Sequence, residues 1–245
     1  FDEIQAVREV NFLILHHVEA NNAEHAIEQF IEHQVSPHFL IDESGKIFEL
    51  VSENNIAYHA GVSSWRGVEK LNNNSIGIEF INSEAFNKEF SDAQLESGIE
   101  LSKFLIKKYN IDNKNIAGHS DIGYHANSHL NVEKRGFLDR KQDPSHYFNW
   151  KLFAEKGIGT YPKNYVTDEE DRVIFKIGDK NPEITKIKRK LANFGYKITN
   201  FDDNFDLEMK LLVRVFHRRF NQSKFSSNSD LWYLSSQNIL NEITV

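Results

Sequence analysis

Residues 10–17 read VNFLILHH, and this stretch is the starting point for predicting the fold. It is apolar at both odd and even positions, which is typical of a central strand buried on both faces of a sheet. Because side chains alternate along a strand, His16 lies on the face of Phe12 and Ile14, and His17 lies on the opposite face. The end of this strand is therefore a candidate site for histidine chemistry.

Further strands and helices are predicted around this stretch. Strands are predicted at 75–82 (SIGIEFIN) and 115–118, a hairpin at 38–42 and 46–51, and helices at 23–31 and from the capping box of Ser91 and Gln94 to about Tyr109. The strand at 115–118 leads directly to His119. Strands that alternate with helices predict the α/β fold class, with a mixed central sheet flanked by helices.

The last third of the chain differs in composition from the rest. Residues 1–165 carry a net charge of −8, whereas residues 166–245 carry +1. Three apolar stripes at helical spacing in the second part predict a small three-helix unit. The predicted organisation is an α/β domain at 1–156, a linker at 157–175 and a three-helix domain at 176–245.

The composition excludes several classes of protein. The 245 residues carry a net charge of −7 and are 40% apolar, which fits a globular protein and argues against nonspecific binding to nucleic acid. No apolar run reaches the roughly 18 residues that a transmembrane segment needs. Cysteine is absent, so a zinc site must use histidine and carboxylate ligands. Ten of the 11 histidines lie between His16 and His146.

Six blocks of sequence carry a resemblance to a known family. They are LILHH (13–17), SPHFLIDESGKIFELV (36–51), YHAGVSSW (58–65), LNNNSIGIEFIN (71–82), AGHSDI (117–122) and KQDPSHYFNW (141–150). With these blocks in this order, the chain resembles the AmpD/AmiD-type zinc-dependent N-acetylmuramoyl-L-alanine amidases, relatives of the peptidoglycan recognition proteins. The resemblance implies hydrolysis of the amide between N-acetylmuramic acid, or its anhydro form, and the L-alanine of the peptidoglycan stem peptide, in cell-wall turnover or recycling.

The resemblance also implies one Zn²⁺ ion and its ligands. The first ligand of the family is the histidine that ends the first strand, and its pattern falls on His16 rather than on the adjacent His17. The second falls on His119 of GHSDI and the third on Asp143 of KQDP. Two histidines and one aspartate that leave a position open form a suitable set for a hydrolytic zinc.

Two further residues are expected to be catalytic. Glu79 lies inside a predicted strand, where a carboxylate is costly unless it has a partner, and the resemblance implies that it takes a proton from the attacking water. Gly77, on the same face, is expected to leave room for that water or for substrate. Lys141 lies two residues before Asp143 on the same side of an extended segment, and the resemblance makes it the cation that stabilises the oxyanion.

Four residues are expected to bind substrate. His59, Ala60 and Trp65 fall in the stretch that lines the substrate groove of the family, and Lys70 falls on a basic position near the stem-peptide carboxylate. Trp65 is either an apolar wall for a sugar ring or an ordinary core aromatic. Lys70 is either a substrate contact or a solvated lysine.

Two stretches of the second unit are GDKNPEITKIKRKLANFGY (178–196) and FDDNFDLEMKLLVRVFHRRF (201–220). Through them the unit resembles the small three-helix peptidoglycan-binding domain that is often attached to such enzymes. Its basic residues are a solvated face or a surface that attracts stem-peptide carboxylates; they are Lys186, Lys188, Arg189, Lys190, Arg214, Arg218 and Arg219. A wall-binding unit favours a periplasmic or envelope location, with the cytoplasm as the alternative. The chain starts at Phe1, so a preceding signal or lipid anchor stays open.

Two questions remain open at this point. The stretch 123–140 is longer than in compact relatives. It is a lid, a specificity loop or a surface excursion. A second metal at His125 and His129 is not favoured. The alternative function is a non-catalytic module that recognises muropeptides. The presence of all three ligand residues together with Glu79 and Lys141 disfavours that alternative, and a zinc hydrolase of another amide is the third possibility.

Overall fold

The computed structural model describes residues 8–84, 87–125, 141–163, 171–226 and 230–245. Its first seven strands are β1 (Phe12–Val18), β2 (Phe39–Ile41), β3 (Ile47–Glu49), β4 (Ser64–Trp65), β5 (Val68–Glu69), β6 (Ser75–Ile81) and β7 (Ile116–Gly118). Five of them form one sheet in the order β3-β2-β6-β1-β7, and β4 pairs with β5. β3 is antiparallel to β2 and the other pairs of the large sheet are parallel. The predicted mixed sheet is confirmed.

β1 occupies an inner position of the sheet and brings two candidate residues together. It runs parallel to β6 on one side and to β7 on the other. Leu13 and Ile14 are 0% exposed, as the two-sided apolar pattern predicts. In the register of β1 and β6, His16 lies beside Glu79, and His119 directly follows β7. The carboxyl ends of these parallel strands therefore meet at one edge of the sheet, where α/β proteins place their sites.

In the described ranges, four α-helices accompany this sheet. They are α1 (Ala23–Glu32), α2 (Asp92–Tyr109), α3 (His119–Gly123) and α4 (Trp150–Glu155). The side chains of Asn22 and Ser91 accept backbone hydrogen bonds in the first turns of α1 and α2, which is how an N-cap stabilises a helix start. α2 packs against the face of the sheet that carries Leu13 and Leu15. The apolar stripe of α2 thus covers one face of the sheet, as its spacing predicts.

The described part of the C-terminal unit contains the three predicted helices, one further short helix and a small strand pair. Its elements are β8 (Val173–Phe175), α5 (Pro182–Phe194), α6 (Leu207–Phe220), α7 (Gln222–Ser226), β9 (Trp232–Tyr233) and α8 (Leu234–Ile243). β8 falls within the predicted linker and pairs with β9, so this end of the linker is part of the folded unit. Among the described residues, no helix is both long and apolar enough to cross a membrane.

The two units share one apolar core. Ile14 of β1 belongs to the same buried cluster as residues of α5, α6 and α8. The ring of Trp65 packs edge-on against the rings of Phe194 and Tyr196, with centroids 5.7 and 5.0 Å apart. Gly195 has φ +154°, and a Cβ there would come within 2.7 Å of the Trp65 ring. The C-terminal unit therefore packs directly on the remaining face of the sheet.

Three basic residues of this unit are buried in the structure. Lys188, Arg218 and Arg219 are 1%, 1% and 2% exposed. The Lys188 ammonium lies 3.0 Å from a carboxylate oxygen of Asp202 and 3.2 Å from one of Asp206. For these three residues both expectations, a solvated face and a surface for carboxylates, are wrong, because packing and ion pairing within the protein cover them.

Because His38 is buried, we expect the stability of the protein to depend measurably on pH. Its ring is 0% exposed and its Nδ1 accepts the backbone N–H of Gly77 at 3.0 Å. Burial, together with the Arg8 guanidinium, lowers the pKa of His38 to about 4. An unfolded histidine titrates near 6.5, so protonation favours the unfolded chain as pH falls from about 6.5 to 4.

We expect His38 to contribute a loss of up to about 3 kcal/mol in the free energy of unfolding across this interval. Urea titrations at pH 7 and pH 4.5 measure it, and His38→Gln should show a smaller difference between the two pH values than the wild type. The exposed His33 supplies the control, since His33→Gln should retain the wild-type difference. Equal differences in all three proteins would contradict this assignment.

Candidate active site

Three side chains converge at the carboxyl edge of the sheet. His16 comes from the end of β1, His119 begins α3, and Asp143 lies in the segment before α4. The His16 Nδ1 and His119 Nδ1 atoms are 3.0 Å apart, and Asp143 Oδ2 lies 3.1 Å from the first and 3.0 Å from the second. The two rings are 0% and 4% exposed. The fold thus brings together the three residues named as ligands, although more than 100 residues separate His16 from His119.

A chain of hydrogen bonds behind His16 determines which of its nitrogens faces this cluster. The Ser75 hydroxyl donates to the Leu71 carbonyl at 2.6 Å, so the Ser75 oxygen accepts from His59 Nε2 at 3.2 Å. The Nδ1 of His59 then carries a lone pair and accepts from His16 Nε2 at 2.9 Å. The proton of the neutral His16 ring therefore lies on Nε2, and its Nδ1 presents a lone pair to Asp143.

His119 is oriented in a similar way. Its Nε2 donates to the Ala60 carbonyl at 3.2 Å, which leaves a lone pair on Nδ1. Burial, and then the neighbouring His119, lowers the pKa of His16 to about 4, so His16 is neutral at pH 7. Two imidazole lone pairs and a carboxylate oxygen therefore meet at one point, an arrangement that a cation stabilises.

The donor set fits a divalent metal. Histidine nitrogen and carboxylate oxygen are both zinc ligands, and tetrahedral coordination at about 2.0–2.1 Å places ligand atoms about 3.3 Å apart. The three donor atoms are 3.0–3.1 Å from one another. Within the described residues, His16, His119 and Asp143 thus form a candidate metal site.

The adjacent His17 is directed elsewhere. Its Nδ1 accepts the backbone N–H of Ser145 at 3.0 Å, and its ring centroid lies 6.2 Å from that of Phe90. Strand alternation sends His17 to the face of the sheet opposite to that of His16. The geometry therefore favours His16 over His17 as the ligand, in line with the sequence.

Glu79 lies next to the candidate metal site. Its Oε1 is 3.8 Å from His16 Nδ1, and its side chain is 12% exposed. Its Oε2 is buried and has no hydrogen-bond partner among the described residues. Burial, reinforced by the Asp143 carboxylate, raises the pKa of Glu79 well above its ordinary value. A buried carboxyl group of this kind beside a ligand cluster is typical of a general acid or base.

A cavity of about 140 Å³ opens onto this cluster. Glu79, Lys141 and Asp143 all line it. The opposite wall comes from α1 and the loop after it, through residues that include Phe30 and Val35. The cavity offers a carboxylate, an ammonium group and the candidate metal ligands to one bound molecule.

The sequence matches a known family over more than half of its length. The family model described as N-acetylmuramoyl-L-alanine amidase (Amidase_2) matches residues 6–146. The chain belongs to this family. The match includes His16, His119 and Asp143 as well as Glu79 and Lys141, so this protein is an amidase whose converged residues all lie within the family region.

Two curated amidases show how far the similarity extends. AmiD of Escherichia coli K12, an N-acetylmuramoyl-L-alanine amidase, is 28% identical over 239 residues, which cover 90% of this chain and 78% of AmiD. AmpD of Haemophilus influenzae, a 1,6-anhydro-N-acetylmuramyl-L-alanine amidase, is 38% identical over 122 residues, which cover 49% of this chain and 57% of AmpD. The similarity to AmiD therefore extends into the C-terminal unit.

Two solved structures share the fold of the whole amidase chain. E. coli AmiD in complex with the substrate anhydro-N-acetylmuramic acid-L-Ala-D-γ-Glu-L-Lys matches with a TM-score of 0.77 at 24% identity, covering 99% of this chain and 91% of AmiD. AmpDh3 from Pseudomonas aeruginosa matches with a TM-score of 0.74 at 23% identity, covering 98% and 93%. Both units of the amidase thus belong to the shared architecture.

The residues predicted to bind substrate have different positions in the structure. Trp65 is 0% exposed and packs against the C-terminal unit, and its Nε1 donates to the Lys114 carbonyl at 2.8 Å. The prediction that it forms a wall of the groove is corrected, because no part of its ring reaches the groove. Ala60 is also 0% exposed and holds His119 through its carbonyl. Lys70 is exposed and does not line the cavity at Asp143.

His59 is the one of the four predicted substrate residues that lines the cavity. Its two nitrogens face His16 and Ser75, so it supports the candidate metal site. Gly77 was expected to leave room for water or substrate, but a Cβ there would lie within 2.5 Å of the His59 ring. That expectation is corrected, because the room beside Gly77 is filled by His59.

Sequence reasoning missed two residues around the site, Ser75 and Phe30. Ser75 starts β6 and completes the hydrogen-bond chain behind His16. Phe30 of α1 forms part of the cavity wall. The sequence did offer a signal for Ser75, which is a polar residue at the start of a buried strand. It also offered a signal that α1 lies near the site, because α1 directly follows the strand that ends in the two histidines.

Replacing His59 with phenylalanine should weaken metal binding. The variant keeps a ring of similar shape but removes the nitrogen that accepts from His16 Nε2. We expect the affinity for zinc to fall about 10–100-fold, the usual effect of losing such a supporting hydrogen bond. Competition with a chromogenic chelator measures the affinity. Tyr58→Phe, at a neighbouring side chain that is 62% exposed, is the control and should bind zinc as tightly as the wild type does. A zinc affinity of His59→Phe equal to that of the wild type would show that packing alone orients His16.

Proposed function

We propose that this amidase hydrolyses the amide between the lactyl carbonyl of N-acetylmuramic acid, or its anhydro form, and the L-alanine of a peptidoglycan stem peptide, and that it does so with zinc held by His16, His119 and Asp143. The observation that carries the proposal is the Glu79 carboxylate, which lies 3.8 Å from the ligand nitrogen of His16 and whose buried Oε2 has no partner among the residues that the structure describes. Membership of the amidase family supports the reaction class.

Zinc is the metal that the donor set favours. The ligands are two imidazole nitrogens and one carboxylate oxygen, and three protein ligands with a position left open are typical of catalytic zinc. When bound there, zinc supplies Lewis acidity, which polarises a carbonyl oxygen and makes a water molecule more acidic. The protein contributes by fixing His16 and His119 with their Nδ1 atoms turned towards this position.

Glu79 acts as the acid and base in this proposal. Its carboxylate accepts the proton of the attacking water and then delivers it to the nitrogen of the leaving L-alanine. Because burial raises the pKa of Glu79 above its ordinary value, the group holds that proton more readily between the two transfers. Its Oε2, which accepts no hydrogen bond from the described part of the chain, is the atom proposed to receive the proton.

Lys141 stabilises the negative charge that develops on the carbonyl oxygen of the substrate. Its side chain lines the same cavity as Glu79 and Asp143. Lys141 is half-buried, and a positioned ammonium group that is partly shielded from solvent stabilises an oxyanion more strongly than it would in water. The cavity thus combines a cation for the developing oxyanion, Lys141, with a carboxylate for proton transfer, Glu79.

The substrate is proposed to be a muropeptide or intact peptidoglycan. The solved complex of AmiD contains an anhydro-muramyl tripeptide, and AmpD is named for the anhydro sugar. Binding of the C-terminal unit to the cell wall and a location in the cell envelope stay predictions. A polymeric substrate and a soluble fragment differ only beyond the scissile amide, so the proposed chemistry is the same for both.

Incubating the zinc-loaded protein with an anhydro-muramyl tripeptide and, separately, with intact sacculi tests the proposal. Mass spectrometry should detect a free peptide that begins with L-alanine together with the free amino sugar or the stripped glycan. Chelation of the metal should stop the release, and added zinc should restore it. Binding of muropeptides without release would instead identify a recognition module, and absence of both would contradict the proposed substrate.

A further inference from the structure

Asp121 connects the candidate metal site to the C-terminal unit. It lies in α3, two residues after His119, and is 1% exposed. Its Oδ2 accepts the backbone N–H of Gly118 at 2.9 Å and a hydrogen bond from Arg219 Nη1 at 2.7 Å. Its Oδ1 accepts the hydroxyl of Tyr196 at 2.8 Å. Two of these three donors belong to the C-terminal unit.

Arg219 of α6 links several elements that surround His119. Besides pairing with Asp121, its Nη2 donates to the carbonyl of Ile116 in β7 at 3.0 Å. Its guanidinium also lies over the ring of Trp150, 4.4 Å from the centroid, at the start of α4. Arg219 thus contacts the strand before His119, the helix that His119 begins and the helix that follows Asp143.

Further contacts hold the same two segments. The Tyr124 hydroxyl, just after α3, donates to the Lys197 carbonyl. The Gln222 side chain donates to the Phe148 carbonyl at 2.8 Å. Ile122 of α3 belongs to the apolar cluster that contains α5, α6 and α8. The C-terminal unit therefore contacts both the segment that carries His119 and the segment that follows Asp143.

From these contacts we infer that the C-terminal unit is a structural part of the metal site, and that Arg219 is a positioning residue that holds His119 in place through Asp121. The inference rests on the proposed function in one respect, that His119 binds the metal. A carboxylate that is 1% exposed needs its cationic partner. Without the guanidinium, α3 must rearrange to hydrate Asp121, and His119 Nδ1 then loses its fixed position relative to His16.

The test compares two variants of the full-length chain. Arg219→Met should weaken zinc binding about 10–100-fold, as loss of a supporting contact commonly does. Lys188→Met is the matched control, because Lys188 is as buried as Arg219 and also pairs with carboxylates, but both of its partners lie within the C-terminal unit. Its zinc affinity should stay within about twofold of the wild type, even though both variants lose thermal stability.

Chelator competition gives the affinity, and the visible absorption spectrum of the cobalt-substituted protein reports the ligand geometry. A purely structural role of Arg219 would lower the melting temperature but would leave both readouts unchanged. Tyr196→Phe provides a second variant should Arg219→Met not fold, since it removes one hydrogen bond from Asp121 and should weaken zinc binding about three- to tenfold.

The outcomes separate this inference from the proposed function. Wild-type protein that binds zinc and releases stem peptide, together with Arg219 and Tyr196 variants that bind zinc as tightly as Lys188→Met, would overturn the inference and leave the proposed function intact. Wild-type protein that binds no zinc would overturn both. Weaker zinc binding in the Arg219 or Tyr196 variant, with a changed cobalt spectrum and an unaffected Lys188 variant, supports the inference.

Discussion

Replacing Glu79 with glutamine is expected to lower the turnover number about 10²–10⁴-fold, which is the usual contribution of a general acid–base group. Glutamine has nearly the same shape, but it cannot accept the proton of the attacking water. The Oε2 atom of Glu79 has no partner among the described residues, so the substitution breaks no protein hydrogen bond at that atom. Release of stem peptide from a muropeptide, followed by chromatography, measures turnover.

Two further measurements identify the cause of that loss. Zinc affinity of Glu79→Gln should stay within a few-fold of the wild type, because Glu79 lies beside the proposed ligands but outside the ligand set, and its melting temperature should not fall, because glutamine keeps the shape of the side chain without an ionisable group in a buried position. Glu49→Gln, at the exposed end of β3, is the matched control and should retain full turnover. Turnover of Glu79→Gln within about tenfold of the wild type would remove Glu79 from its assigned role.

The second large effect is expected on zinc affinity when the first of the two adjacent histidines is replaced. His16→Ala removes one of three proposed ligands, and its zinc affinity should fall by more than about 100-fold, since even the partners that support a ligand contribute 10–100-fold. Stem-peptide release should become undetectable at equimolar zinc. His17→Ala removes a ring of the same size from the next position, but the Nδ1 of that ring accepts from Ser145 and is not one of the three converged donor atoms.

His17→Ala should therefore bind zinc within a few-fold of the wild type and should retain turnover at temperatures where it is folded. The pair of variants is informative because both substitutions create a cavity in the same strand and both reduce stability. Metal analysis after dialysis against zinc distinguishes them directly. Loss of zinc from His17→Ala with retention in His16→Ala would reverse the assignment.

Much of the sheet could be predicted because its signals are local. The two-sided apolar pattern of 10–17 reports burial of β1 on both faces, and the structure confirms it at Leu13 and Ile14. The convergence of His16 with His119 could not be obtained from spacing, since it depends on the register and order of parallel strands. The resemblance to the amidase family supplied that information.

The interpretation of the C-terminal unit was less successful, for a physical reason. A helical stripe identifies the face of a helix that is buried within its own unit, but it does not show that a second face docks elsewhere. The stripe therefore predicts that Arg219 faces solvent or the carboxylates of substrate, whereas its partner is Asp121 in the other unit. The burial of Trp65 has the same origin, because Phe194 and Tyr196 cover it from that unit.

The most direct test of the account is a crystal structure of the zinc-loaded protein with diffraction data collected at the zinc absorption edge. We expect one anomalous peak per chain at about 2.0–2.2 Å from His16 Nδ1, His119 Nδ1 and an Asp143 carboxylate oxygen, with Glu79 beside it and outside the ligand set. A peak ligated by His17, or a fully zinc-equilibrated crystal with no peak among these three residues, would contradict it.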